Sequence, residues 1–314
     1  MYWLIKYLLR VWRQRQTRLA VAGGDVPLLD QAPASTAPGR AVSRAREQGP
    51  SAASRGPLML LAHQVRYDIK TSLRNPRARF FTFFFPVVLL VVFNGVFGNG
   101  HTRVDGVRVK MSEFYVPGIL TMSIVVASYA SMVISIATLR ESGVLKRRRA
   151  TPAPAALLIG GQALATVLVT FTMSTLLLAI SKVFYGIGLA PGAIAAVACV
   201  VLVGTITFTC IAYAVAGLIG SPDAAQPVVQ ATMLPLWFIS SVFIPETNLS
   251  HSLRTVGKVF PVEHLANPLH LASIHGSFGG AISGTDLLVL AAWAVAAAAF
   301  AAWRFSWLPS TASA

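Results

Sequence analysis

The chain has 314 residues, of which 55% are hydrophobic and only 12% charged, with a mean hydropathy of +0.64. The charged fraction is about half that of a soluble domain, and the apolar residues lie in long blocks, so a soluble globular protein is excluded in favour of an integral membrane protein. A formal net charge of +15 is the usual footprint of a nucleic-acid binder, but here the basic residues edge the apolar blocks and accompany no binding motif, so no nucleic-acid partner is expected.

Residues 1–20 run Tyr2-Trp3-Leu4-Ile5-Lys6 and on to Arg18, basic and amphipathic. They suit a helix on an anionic membrane face or an unordered tail, and both readings stay open. Residues 23–57 are rich in Ala, Pro, Ser, Gly and Arg and read as a flexible cytoplasmic linker, which makes 1–57 a basic N-terminal extension. From 58 to 79, Leu58, Leu61, Val65, Ile69 and Leu73 recur every three or four residues, with Arg66, Lys70 and Arg74 between them. That spacing predicts a cytoplasmic interfacial helix. Asn75-Pro76 then predicts a local break.

A membrane domain is expected over 80–308. A helix crossing about 30 Å of hydrocarbon needs about 20 apolar residues, and six blocks approach or exceed that length: about 80–97, 114–139, 156–185, 192–219, 228–244 and 287–303. The first opens on a phenylalanine cluster that includes Phe84 and Phe85. The second has Pro117-Gly118 in its first turns, where a missing amide costs little. The fifth is short and carries Pro235, which predicts a kink and makes it the weakest of the six. Residues 220–227 read as a short polar turn. The stretch 247–285 is too polar to span, yet its apolar patches suit amphipathic or shallow re-entrant helices. Trp303, Arg304 and Trp307 are interfacial anchors for the last span. Cys199 and Cys210 both lie in apolar blocks and read as small hydrophobes.

Of the 26 Lys and Arg, 20 fall in residues 1–79, in 140–155 or at Arg304. Arg103, Arg108, Lys110, Arg254 and Lys258 fall on the other side, with Lys182 near it. The positive-inside rule then places both termini in the cytoplasm of a multi-pass cell-membrane protein.

The chain shows no glycine-rich loop ending in Lys-Ser or Lys-Thr, so it is not expected to bind ATP itself or to be an enzyme. Its histidines lack metal-site spacing, and Glu263-His264 with Asn267-Pro268-Leu269-His270 reads as an interfacial cluster rather than a metal centre. Few ionisable residues lie inside the spans, which weighs against an ion-coupled transporter. Ala156–Gly160 and Ala216–Gly220 have the spacing of close helix contacts, with chance as the equal alternative. In the basic loop, Lys146–Arg149 suffices as a topological anchor, but Glu141 is not required for that. Val144 and Leu145 stand three and four residues on, so Glu141 has no local ion pair in that direction and is free to meet a partner.

Taken in order, these features resemble the membrane-spanning subunit of an ABC-2 type exporter, in particular the daunorubicin-resistance-like permeases of actinobacteria. The resemblance covers about Leu58–Trp307. It rests on the Arg-rich helix before the first span, Tyr115-Val116-Pro117-Gly118-Ile119, Arg140-Glu141-x-Gly143-x-Leu145-Lys146-Arg147-x-Arg149-x-Thr151-Pro152, Ser221–Pro227, and Pro261–Leu271. It implies an all-α fold of six transmembrane helices with an N-terminal interfacial helix and short extracellular re-entrant helices. It further implies a homodimer or heterodimer of permeases that recruits two ABC ATP-binding subunits, with ATP and Mg²⁺ bound by those subunits and no cofactor on this chain. Coupling would run through Glu141, Lys146, Arg147, Arg148, Arg149, Pro152 and Asp223, with Arg66, Lys70 and Arg74 on the interfacial helix. Pro261, Glu263 and His264 would fall in the extracellular re-entrant region. Phe84, Phe85, Met122 and Met233 offer soft apolar surface for a substrate route or for plain packing, and lipids are expected around them. The cargo class this suggests is lipophilic: a drug, antibiotic, lipid or glycolipid. A non-transporting membrane scaffold is the alternative from a different class.

Overall fold

The computed structural model describes residues 57–74, 76–142 and 155–304. The N-terminal extension, the basic loop with Lys146–Arg149 and Pro152, and Trp307 lie outside the described residues.

Helix α1, Pro57–Arg74, covers most of the segment 58–79 for which the spacing predicts a helix. It packs against the first half of the third long helix, where Gly161 makes the close approach possible: a Cβ there would stand 2.6 Å from Gln64 Cγ. Next in the chain, α2 (Pro76–Arg79) passes into a π-helical segment, Phe80–Phe84, and then into α3, Phe85–Phe97. The next long helix has the same construction: α4 (Met111–Val125), a π-helical segment at Val126–Ala130, and α5 (Ser131–Glu141). The two π segments touch each other. Pro117 consequently sits past the first turn of its helix, which begins at Met111 rather than near 114. Two further long helices follow, α6 (Ala155–Tyr185) and α7 (Pro191–Ala216).

Five helical stretches are long and apolar enough to cross a membrane: Phe80–Phe97, Met111–Glu141, Ile159–Tyr185, Pro191–Ala216 and Gly284–Trp303. The expected fifth block is different. It forms α8, Pro222–Ile239, which carries Asp223, Pro227 and Pro235 and falls outside that set. The polar stretch 220–227 is also corrected, since it is mostly the first turns of α8. Ser221 Oγ accepts a bond from Ala224 N at 3.3 Å, and Pro222 occupies a position where no amide is needed, so the turn chemistry starts a helix rather than separating two.

Beyond α8 come a 3₁₀ turn (Glu246–Asn248), α9 (His251–Gly257), α10 (Pro261–His275), the short α11 (Phe278–Ala281) and α12 (Gly284–Arg304). The stretch between the first two spans holds Arg103, Arg108 and Lys110, to which the charge bias alone gives no structure. It forms an antiparallel hairpin, β1 (His101–Val104) and β2 (Val107–Lys110), and this is the only sheet among the described residues. Asp105 and Gly106, both at positive φ (50° and 76°), make its two-residue turn.

The main core joins α4–α5, α7, α8 and α10, with Met122, Tyr129, Phe208 and Leu265 among its enclosed side chains. Outward-facing valines and phenylalanines on α3, such as Val91, Val96 and Phe97, are what a helix exposed to lipid presents.

Candidate functional site

Two ends of the bundle carry the polar architecture. At one, the last turn of α5 presents Arg140, 5% exposed, whose guanidinium donates to Ala216 O at 3.2 Å and to Ile219 O. These carbonyls lie at the close of α7, where the last acceptors have no helical partner and the helix dipole favours a cation. Arg140 therefore ties the end of α5 to the end of α7 and to the segment that leads into α8. Glu141, the next residue, is exposed and makes no ion pair with another described residue, and Asp223 is exposed in the first turn of α8. Sequence analysis counted Arg140 as a topological charge and missed its structural role. Nothing in a single basic residue beside an apolar block distinguishes a buried clamp from a surface anchor.

At the opposite end, α10 organises its surroundings through Glu263, His264, Asn267 and His270. The segment after α8 has left the helix, so its backbone groups need partners from elsewhere. Side chains of α10 supply them. Ser241 N and Oγ donate to the Glu263 carboxylate at 2.7 and 2.8 Å, and His270 Nε2 donates to Ser241 O at 2.8 Å. His270 is enclosed, stacked on Phe114 with ring centroids 4.7 Å apart, and burial lowers its pKa to about 4, which keeps it neutral. Burial pushes the Glu263 carboxyl up, opposed by the two Ser241 bonds.

His264 ties α10 to α12. Its Nε2 faces Lys258 O at 2.8 Å and must donate, and its Nδ1 stands 2.6 Å from Asp286 Oδ1. Asn267 Nδ2 donates to Asp286 Oδ2 at 2.9 Å. The carboxylate beside it raises the His264 pKa, against the opposing effect of burial. Pro261, also buried, begins α10. Gly118 presses against the same assembly: a Cβ there would overlap the carbonyl oxygen of Val242. Phe93 stacks on Phe243, 5.4 Å between centroids, and binds the first span to this end. The hairpin joins through His275 Nε2 and Asp105 Oδ2, 3.3 Å apart.

Among the residues expected on a substrate route, Met122 and Met233 are enclosed in the main core and serve packing within the subunit. Phe85 is half-buried against that core, whereas Phe84 is exposed. Arg66, Lys70 and Arg74 are exposed along α1. Among the described residues, no three His, Cys, Asp or Glu side chains are grouped to hold a metal ion.

Long apolar helices and a polar clamp at each end define a multi-pass helical membrane protein. Residues 61–271, more than half of the chain, match the ABC-2 type transporter family, and the chain belongs to that family. It is thus the membrane component of an ABC transporter. Among curated proteins, none matches it.

Proposed function

We propose that the chain is the membrane-spanning subunit of an ATP-driven exporter of the daunorubicin-resistance-like kind, which dimerises and takes its energy from two separate ATP-binding subunits. The observation that carries this reading is the Arg140 clamp. It joins the ends of the second and fourth spans and the segment before α8 into one element, with Glu141 and Asp223 exposed at its edge. A push delivered at that edge reaches three helices together. The loop from Glu141 to Pro152 is the docking surface in this scheme. The charge bias places that edge and both termini in the cytoplasm, so the α10 assembly and the hairpin form an external cap over the dimer. The cargo is lipophilic: a drug, antibiotic, lipid or glycolipid.

A sixth crossing completes this reading. Helix α8 begins three residues after Ile219, which Arg140 holds, and ends three residues before Val242, whose carbonyl oxygen lies against Gly118 toward the other end of the second span. Midway, Tyr129 and Thr232 share a hydrogen bond at 2.8 Å. The test is co-expression with a candidate ABC ATP-binding subunit from the same genome. The two should co-purify, ATP hydrolysis should rise on reconstitution, and Glu141→Gln should weaken both while leaving membrane insertion intact. Absence of co-purification and of stimulation, with Glu141→Gln leaving export untouched, would establish a scaffold instead.

A further inference from the structure

A groove of about 760 Å³ lies between α1 and α6, within the range of roughly 300–1,000 Å³ typical of small-molecule sites. Its floor is apolar: Leu61, Val65, Ile69 and Leu73 from α1, and Leu164 from α6. Its rim is cationic: Arg66, Lys70 and Arg74, spaced four apart and so aligned along one face of the helix. None of these three forms an ion pair with another described residue. The one carboxylate on α1, Asp68, is hydrogen-bonded to Gln64 at 2.8 Å, and Gln64 lies against Gly161 on the side where α1 meets α6.

We infer that this groove binds an anionic glycerophospholipid, with the phosphate on the Arg66–Lys70–Arg74 rim and an acyl chain along the apolar floor. Two observations choose this occupant. Leu164 belongs to the span Ile159–Tyr185, so the floor continues onto a lipid-facing helix surface, where Leu164 and Leu168 are 41% and 45% exposed. The rim is not charge-complementary to the chain's own N-terminal segment, since residues 1–56 carry nine Lys or Arg against three Asp or Glu. Assignment to the cytoplasmic leaflet rests on the orientation proposed above. The lipid would wedge α1 against the third span at the face where the energy-supplying subunits are proposed to dock.

The purified full chain, partly delipidated and then offered equal phosphatidylglycerol and phosphatidylcholine, is read by native mass spectrometry. Wild type should retain phosphatidylglycerol selectively. Each basic residue near an anionic surface is worth about fivefold in affinity, so R66Q/K70Q/R74Q should lose selectivity by at least about tenfold. Its thermal midpoint in a neutral detergent should stay at the wild-type value, which separates lost binding from lost folding. Leu164→Trp, which fills the floor and keeps the charges, should also lower retention. Equal retention by wild type and the triple variant overturns the proposal. So does displacement by inorganic phosphate at lipid-equivalent concentration, or stripping of the lipid when the ATP-binding subunit is added, which would make the groove a protein-docking surface. Failure of that subunit to bind at all sinks the exporter reading but leaves lipid selectivity as the test of this one.

Discussion

Gly118 and Arg140 lie toward opposite ends of one helix, and each is fixed by a single steric or electrostatic fact. A Cβ at Gly118 would overlap a backbone oxygen rather than the end of a flexible side chain, and the neighbouring chain is pinned by Glu263 and His270. Overpacking usually costs about 1–3 kcal/mol and more where the backbone must move. Gly118→Ala should therefore lower the thermal midpoint of the purified protein sharply or abolish folded yield. Gly95→Ala is the control, because nothing lies within 4 Å of its Cβ position. Helical alanine is favoured over glycine by about 0.5–1 kcal/mol, so that variant should match or exceed wild type. Arg140→Met removes the donor and strands the carbonyls of Ala216 and Ile219 near a buried helix end. A stability loss of about 1–3 kcal/mol is expected, read as a lower melting temperature, with Glu141→Gln showing none of it. Both positions stood out in the sequence, as part of Pro117-Gly118 and of Arg140-Glu141, but their partners lie 76 and 79 residues away for Arg140 and 124 for Gly118. Only the fold says which oxygen each one meets.

At the scale of elements, α10 is the part whose strength depends on pH. His264 gains a carboxylate partner on folding, so its folded pKa lies above the unfolded value, about 6.5. The sign follows from linkage. Stabilisation by this pair is fully present below about pH 6.5 and is lost as pH rises through the raised folded value. A melting temperature measured from pH 6 upward should fall in wild type, and His264→Gln should flatten that slope while lowering the acid-side plateau. An unchanged slope in the variant would remove His264 as the source. The spacing of Glu263, His264, Asn267 and His270 was visible beforehand as a polar cluster on a short helical patch. Its partners, Ser241 and Asp286, were not, because one sits in a turn and the other at the start of an apolar block. The hairpin, by contrast, was legible: His101-Thr-Arg-Val-Asp-Gly-Val-Arg-Val-Lys110 alternates polar and apolar residues around Asp-Gly, a strong short-range hairpin signal.

For the whole molecule, the question is whether α8 crosses. Hydropathy disfavours it, because Asp223, three prolines and two glutamines dilute an 18-residue helix. Geometry favours it. Gly118 and Arg140 lie 22 residues apart on one helix, about 33 Å at 1.5 Å per residue, which matches a hydrocarbon core of about 30 Å. Helix α8 has one end near each of them, and its own length of about 27 Å is close to the same thickness. A helix packed inside a bundle needs less apolar surface than one facing lipid: Ala225, Val229 and Met233 are turned into the core, whereas Leu234 and Phe238 face outward. Single cysteines in a C199A/C210A background decide it. Asp223→Cys in the first turn of α8 and Asn248→Cys in the 3₁₀ turn beyond it, both at exposed positions, should react with a membrane-impermeant maleimide from opposite sides of the membrane. Asp223→Cys should follow Glu141→Cys, and Asn248→Cys should follow Arg103→Cys in the hairpin. Labelling of both positions from one side would make the helix re-entrant, leave five crossings, and separate the chain's two ends across the bilayer.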